Sequence, residues 1–403
     1  MIAYIVRLHW APIRFYESTR DRTGSYVKGA CGLQNLGNTC FMASALQCLS
    51  NVPELTKYFL SNRYVADINE RNPLGTRGEL ARAYGDLLHN MWSGENCSIV
   101  PRKVKMTIGQ FAPRFSGYAQ QDSQELLAYV LDGLHEDLNR IKVKPYVPDD
   151  ETLERLEEHE QAEKSWQAYK ARNDSIIVDL VHGQLKSTLV CPVCAKVSIK
   201  FDPFCFLSVP LPPKEKVKQV VTLIFNTKRR WAKDIHLMEC IDLFTKQEQL
   251  GEEDSWYCPK CKKHERASKK LDLWNLPQIL IIHLKRFQYS KWHRDKIDIP
   301  VVIPVKGFEL NSKLANERHE HVKYDLIAIS HHVGGLGGGH YTATALNKTT
   351  GKWYDFNDSS ATETTAPTDP YVSRTPYMLV YRRQEITTDV LLPDANVEEE
   401  MEE

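Results

Sequence analysis

The chain has 403 residues, of which 42% are hydrophobic and 26% are charged, a composition typical of folded proteins rather than of disordered chains. Basic and acidic residues number 52 each, so the net charge gives no reason to expect nucleic acid or an anionic membrane as a partner. No apolar run approaches the roughly 18 residues that cross a bilayer. We therefore expect a globular protein that recognises its partner locally.

Two helices are predicted in the first half of the chain. The apolar spacing within FMASALQCL predicts a helix from Thr39 to about Leu49, which places Cys40 near its N-terminus. A second apolar stripe, within LLAYVLDGLHEDL, predicts a helix from Asp122 to about Leu138. The charge-dense stretch at 148–173 is expected to be an exposed helix or linker.

Beyond Ser175 the sequence changes to short β-rich runs, from SIIVDLV to YMLVYRR, separated by proline, glycine and charged turns. Because helices precede strands instead of alternating with them, the order predicts an α+β fold. The run VVTLIF is expected to form a projecting hairpin arm. The acidic ending VEEEMEE predicts a disordered tail.

Four of the ten cysteines form two C-x-x-C turns, Cys191 with Cys194 and Cys258 with Cys261. Four thiolates from two such turns close a tetrahedral shell around zinc and leave no open position for chemistry, which predicts one structural Zn²⁺ ion. Four unligated cysteines are the alternative. A redox role is disfavoured because a thioredoxin-like motif would be a single C-x-x-C beside a βαβ pattern.

A catalytic cysteine must become a thiolate, and the predicted helix N-terminus would favour that form of Cys40. A cysteine before an apolar helix is more often a small core residue, so a base is also required. His340 is the candidate because GGLGGG precedes it, a loop that another backbone can approach closely. Asn35 is a candidate donor to the oxyanion of an acyl-transfer intermediate.

The residues after this histidine, HYTATALNKTTGKWYDFND, predict two strands joined by a turn. If the hairpin is centred on the two threonines of KTTG, Thr342 faces Asn357, and the side chains of His340 and Asn357 share one face of the sheet. Asn357 would then orient the imidazole. Asp358 would point to the other face and is the second choice, because a register slip of one residue would reverse the two.

Five motifs together resemble the ubiquitin-specific proteases. GLQNLGNTCFMASALQCLSN looks like their cysteine box and GGGHYTATALNKTTGKWYDFNDSS like their histidine box. The segment YAQQDSQELLAYVLDGLHEDLN, the paired C-x-x-C turns and LPQILIIHLKRF match further family elements in the same order. The resemblance runs from about Ala30 to Arg383 and is greatest to the subgroup associated with DUSP and ubiquitin-like modules.

The resemblance implies a papain-like cysteine protease shaped as a hand, with a helical thumb, zinc-ribbon β fingers and a β palm. The expected divisions are an N-terminal flank at 1–30, a catalytic domain at 31–383 with the thumb at about 31–175, the fingers at about 183–272 and the palm at about 176–182 and 273–383, and a disordered tail at 384–403.

The implied activity is a thiol-dependent deubiquitinase that hydrolyses the isopeptide bond between the C-terminal glycine of ubiquitin and a lysine. Ubiquitin and ubiquitinated proteins would be its partners, and the implied contacts of the ubiquitin tail are Asp122, Glu125, Gly338 and Gly339. The D-S-Q-E sequence is also a helix-capping pattern, and the two interpretations of Asp122 and Glu125 weigh equally.

Two other functions stay open: a ubiquitin-binding scaffold without turnover, and a protease for another ubiquitin-like modifier. Four residues depart from the family pattern and bear on catalytic efficiency: Ala43, Ala119, Val333 and Thr344. The N-terminus shows no secretory signal, so we expect the protein in the cytoplasm or the nucleus. We also expect the catalytic domain to be monomeric.

Overall fold

The computed structural model describes residues 24–147, 151–212, 234–289, 294–318, 321–335 and 338–386. Apart from residues 24–30 and 384–386, the predicted N-terminal flank and acidic tail lie outside these ranges, as does the run VVTLIF. Among the described residues, no helix is both long enough and apolar enough to cross a membrane.

The helices concentrate in the first half of the chain, and one follows among the strands. They are α1 (Cys40–Ser50), α2 (Pro53–Leu60), α3 (Tyr64–Asp67), α4 (Glu79–Trp92), α5 (Arg102–Phe111), α6 (Ser123–Asp137), α7 (Glu158–Lys170), α8 (Ile176–Val181) and α9 (Leu237–Phe244), with 3-10 turns at Pro113–Phe115, Glu151–Arg155 and Asn311–Lys313.

One short strand precedes these helices, a second lies between α4 and α5, and the others follow α8. They are β1 (Gly32–Leu33), β2 (Ser98–Ile99), β3 (Gly183–Val190), β4 (Val197–Phe204), β5 (Leu207–Pro210), β6 (Ile235–His236), β7 (Glu248–Gln249), β8 (Trp256–Cys258), β9 (Lys263–Glu265), β10 (Ser268–Asn275), β11 (Ile279–Lys285), β12 (Phe287–Tyr289), β13 (Arg294–Lys296), β14 (Val301–Ile303), β15 (Phe308–Glu309), β16 (Lys323–Gly335), β17 (Gly338–Asn347), β18 (Lys352–Asn357), β19 (Ser360–Thr364), β20 (Tyr371–Ser373) and β21 (Pro376–Arg383).

The helix that begins at Cys40 is buried along its whole length and packs against α6 and β17. Its apolar and small residues surround the axis, which is typical of a helix in a core. Two of its polar side chains donate to main-chain groups: Gln47 to the carbonyl oxygen of Cys31, and Ser44 to the carbonyl oxygen of Thr342, each at 2.7 Å. Both helices predicted from the periodicity are confirmed, α1 and α6.

The prediction of a strand at SIIVDLV is wrong, because these residues form α8. Ser175 caps the helix by accepting the N–H of Val178 on its hydroxyl oxygen at 3.3 Å. Isoleucine and valine favour strands, but burial against α2 and α6 overrides that preference here. This helix packs against α2 and α6 and also against strand β11.

The charge-dense stretch forms α7, of which one side packs against β4. Ala162 is buried there, and its carbonyl oxygen accepts the side-chain amide of Gln184 at 3.0 Å. The expected helix is present, and this packing attaches it to the strands that follow.

The main sheet has the strand order β19-β18-β17-β16-β21-β11-β5, with β15 beside β16. Its alternate side chains face two cores: in β11, Ile281 packs with the helices of the first half and Ile282 with the core that contains α9 and β14. In β17 and β18, Ala343 lies opposite Phe356. This is the predicted register, and extending it by one pair places Thr342 opposite Asn357.

A second sheet has the order β4-β3-β10-β7, and the first cysteine turn lies at the end of its strand β3. Cys191 directly follows β3, and Cys258 ends β8, which pairs with β9 in a small hairpin. The ends of β3 and β8, which are far apart in the sequence, thus bring the two C-x-x-C turns together.

Candidate active site

Cys40 is the first residue of α1, and only 2% of its surface is exposed. Burial raises the pKa of its thiol, and the negative charge of Asp358 raises it further, whereas the backbone N–H groups of Tyr341, Phe41 and Cys40 itself lower it. The net shift is upward, so the thiol needs a base to become a nucleophile at neutral pH.

His340 lies on β17, one residue before the Tyr341 whose N–H faces the thiol. Its Nε2 is 2.7 Å from Oδ1 of Asn357. An amide oxygen can only accept, so Nε2 carries the proton and Nδ1 is left as the basic nitrogen. The predicted contact between these side chains is present, and it holds the imidazole in the tautomer that a general base needs.

Both the oxygen and the nitrogen of the Asn35 side-chain amide form hydrogen bonds. Its Oδ1 accepts the backbone N–H groups of Gly37 at 2.9 Å and of Thr39 at 3.0 Å. Its Nδ2 donates to Oδ2 of Asp358 at 3.1 Å. Because an amide nitrogen carries two hydrogens, one N–H remains for an oxyanion close to Cys40.

Asp358 contacts Asn35 and not His340, as its place on the other face predicts. It follows the end of β18 with a φ of 47°, a left-handed conformation that aspartate tolerates, and its carbonyl oxygen accepts the N–H of Leu33 at 2.7 Å. Sequence reasoning missed the contact with Asn35, because nothing in the local pattern reports a bond between residues so far apart in the chain.

Asp122 and Glu125 do not form the reciprocal capping box. Asp122 is the N-cap of α6, and its Oδ1 accepts the backbone N–H groups of Gln124 at 2.7 Å and of Glu125 at 3.3 Å. Its Oδ2 accepts the hydroxyl of Tyr377. The carboxylate of Glu125 instead pairs with Arg114 at 3.2 Å, at the surface. The structure therefore shows a capping role for Asp122, whereas the carboxylate of Glu125 takes no part in the cap.

The two glycines predicted to bind substrate differ in their surroundings. A Cβ on Gly338 would meet no atom within 4 Å, whereas a Cβ on Gly339 would lie 2.3 Å from Nε2 of His332. A side chain at 339 would therefore displace that ring. Both backbone polar groups of Gly339 are already bonded to Gln120, a residue that sequence reasoning did not select.

The four cysteines of the C-x-x-C turns form one cluster whose sulfurs all lie within 4.8 Å of one another. The Sγ atoms of Cys191 and Cys261 are 3.8 Å apart, and those of Cys194 and Cys258 are 3.6 Å apart. Four ligands at 2.3 Å in a tetrahedron would be about 3.8 Å from one another, so the arrangement fits a metal ion.

The model of the family described as ubiquitin carboxyl-terminal hydrolase matches residues 31–381. The chain belongs to the ubiquitin carboxyl-terminal hydrolase family. It is 31% identical to mouse ubiquitin carboxyl-terminal hydrolase 15, over 92% of this chain and 67% of that protein, and 31% identical to rat ubiquitin carboxyl-terminal hydrolase 4, over 89% and 65%.

Solved structures of lower identity share the fold of this hydrolase. A chain of the SAGA DUB module with Ubp8, Sgf11, Sus1 and Sgf73, bound to monoubiquitin, superposes with a TM-score of 0.62 at 24% identity. The superposition covers 89% of the present chain and 70% of the other. The α+β, papain-like architecture expected from the sequence is thereby confirmed.

The capping role of Asp122 predicts a loss of stability on truncation. Asp122→Ala removes the N-cap and the carboxylate that accepts the hydroxyl of Tyr377, so we expect the free energy of unfolding to fall by about 1 to 3 kcal/mol in urea denaturation. Asp122→Asn keeps an acceptor for the cap and should lose much less. Equal losses in both variants would contradict the capping role, and a raised KM in stable Asp122→Asn would indicate substrate binding.

The position of Asp358 predicts that its replacement by asparagine makes the thiol of Cys40 easier to ionise but lowers the turnover of the enzyme. Because its charge raises the pKa of Cys40, Asp358→Asn should shift alkylation of Cys40 by iodoacetamide to lower pH. Turnover should fall, since Asn35 loses a charged hydrogen-bond acceptor. Asp355→Asn, whose carboxylate accepts the hydroxyl of Thr344, is the matched control. An alkylation profile unchanged by Asp358→Asn would contradict the assignment.

Proposed function

We propose that this deubiquitinase hydrolyses the isopeptide bond between the C-terminal glycine of ubiquitin and a lysine of a target protein or of another ubiquitin. The observation that supports it most is the bond of 2.7 Å between His340 and Asn357, where His340 directly precedes the residue whose N–H bonds the thiol of Cys40. Base, orienting amide and nucleophile occur together in a chain of this hydrolase family.

In this mechanism Nδ1 of His340 takes the proton of the Cys40 thiol, and the thiolate attacks the glycine carbonyl carbon. The free N–H of Asn35 and backbone N–H groups near Cys40 stabilise the oxyanion. His340 then protonates the departing lysine amine. The same imidazole activates the water that hydrolyses the thioester and releases ubiquitin.

Ubiquitin is the proposed partner because structural relatives are bound to monoubiquitin or to ubiquitin aldehyde. The tail would enter between the thumb helices and the palm sheet, past Gly338 and Gly339. The carboxylate of Glu125 is exposed and would exchange its surface ion pair with Arg114 for the basic tail, whereas that of Asp122 already serves as a cap. We propose a monomeric catalytic domain at 31–383, cytoplasmic or nuclear, without nucleic acid or membrane as a partner.

The cysteine cluster would hold one zinc ion through Cys191, Cys194, Cys258 and Cys261. A zinc ion with four thiolate ligands has no position left for substrate, so its contribution is to hold the two turns together at the end of the β3-containing sheet. Bond cleavage is left to Cys40 and His340.

A ubiquitin probe with a thiol-reactive C-terminus tests the enzyme assignment. We expect a covalent adduct with the wild-type chain and with Cys97→Ser, which removes an exposed cysteine outside the site, and no adduct with Cys40→Ser. On an isopeptide-linked substrate, His340→Ala should lower kcat by about 10²- to 10⁴-fold. Asn357→Ala should lower it less, since the base is retained without its orienting partner.

The same experiment separates the two other candidate functions. Measurable ubiquitin binding without an adduct at Cys40 would favour a scaffold that lacks turnover. Faster adduct formation with a probe built on another ubiquitin-like modifier would favour a protease for that modifier.

Zinc binding predicts about one zinc ion per purified chain, measured by atomic absorption, and a lower melting temperature after removal by a chelator. Cys194→Ser should lower the zinc content, whereas Cys97→Ser should keep it. A chain without zinc that melts at the same temperature before and after chelation would contradict the metal assignment.

A further inference from the structure

A pair of hydrogen bonds joins the helical half of the molecule to the strand that carries His340. Gln120 donates its Nε2–H to the carbonyl oxygen of Gly339 at 2.7 Å and accepts the backbone N–H of Gly339 on Oε1 at 3.3 Å. Gln120 precedes α6, and Gly339 directly precedes His340. One carboxamide thus bonds both main-chain polar groups of the residue before the proposed base.

Within the described part of the chain, these bonds form where β17 pairs with a strand on one side only. Gly339 lies opposite Gly334 of β16, whereas the register between β17 and β18 begins at Ala343. A main-chain edge without a partner is easily displaced. The carboxamide of Gln120 has the same donor and acceptor groups as a peptide unit and takes the place of the absent strand.

The segment that carries Gln120 also contacts the loop before Cys40. The carbonyl oxygen of Tyr118 accepts Nδ2–H of Asn38 at 2.7 Å. A Cβ on Gly37 would lie only 2.7 Å from the ring of Tyr118, so this ring packs directly on the loop. Residues 118–120 therefore contact both the chain before the nucleophile and the chain before the base.

We propose that Gln120 is a positioning residue that aligns His340 with Cys40. The backbone beyond the base is already fixed, because the N–H of Tyr341 bonds the thiol and the carbonyl oxygen of Thr342 accepts Ser44. Gln120 fixes the backbone before it. A loss of this contact would let the imidazole move relative to the thiol while leaving its bond to Asn357 intact.

This inference rests on the proposed function, and it is tested with Gln120→Ala against Gln121→Ala. Gln121 is the matched control because its Nε2 donates to the carbonyl oxygen of Arg114 within the helical half and not to β17. We expect Gln120→Ala to lower kcat roughly ten- to hundredfold on a ubiquitin isopeptide substrate, with KM changed less than about twofold. The control should match the wild type.

A second variant and a second measurement guard against a purely structural effect. Gln120→Glu keeps an oxygen for the N–H of Gly339 but places a carboxylate against its carbonyl oxygen, so kcat should fall at least as far. In both Gln120 variants the rate at which iodoacetamide alkylates Cys40 near neutral pH should fall, because proton transfer to His340 is less well aligned. Their melting temperatures should stay close to that of Gln121→Ala.

Two results would overturn the inference. If Gln120→Ala has wild-type kcat and alkylation, the contact has no positioning role. If its KM falls and its kcat/KM rises, Gln120 instead blocks main-chain groups that the substrate needs. Failure of the wild-type chain to form a ubiquitin adduct would refute the proposed function itself. If the wild-type chain forms the adduct, either of the two results above refutes only the positioning role of Gln120.

Discussion

The geometry of the site depends on the packing of α1 against β17, because the nucleophile lies on the helix and the base on the strand. The contact is made by buried groups: Ser44 of the helix donates to the carbonyl oxygen of Thr342 and lies 2.7 Å from the hydroxyl of Ser330. Ser123 of α6 approaches the same hydroxyl at 3.3 Å. Close-packed protein interiors are hardly compressible, so the packing of α1 on β17 constrains where the thiol and the imidazole lie relative to each other.

The electrostatics of the site follow from the same burial. A helix N-terminus and three backbone N–H groups favour the thiolate of Cys40, but desolvation outweighs them and the pKa of the thiol is raised. Burial therefore favours the protonated thiol over the thiolate, and in the proposed mechanism the thiolate forms by proton transfer to His340. This makes the alignment of the imidazole more important here than in a site whose cysteine is already ionised.

The sequence was sufficient for features that repeat along the chain. Helical spacing predicted α1 and α6, and the turn at KTTG predicted the register that brings His340 to Asn357. It failed for α8, whose β-branched residues are helical because burial against α2, α6 and β11 overrides their preference for strands, and it contained no signal for Gln120. The contact between Asn35 and Asp358 depends on the tertiary fold and on a left-handed residue, neither of which a periodicity reveals.

The end of β18 shows how one register determines two parts of the site. Asn357 is the last residue of β18 and contacts the imidazole, whereas Asp358 follows the strand with a left-handed φ of 47° and faces in another direction. That other direction holds Asn35, whose amide would stabilise the oxyanion. A slip of one residue would present Asp358 to the base and withdraw the carboxylate from Asn35. The pairing of β17 with β18 thus positions the residue that orients the base, and the turn that follows β18 positions the carboxylate that contacts Asn35.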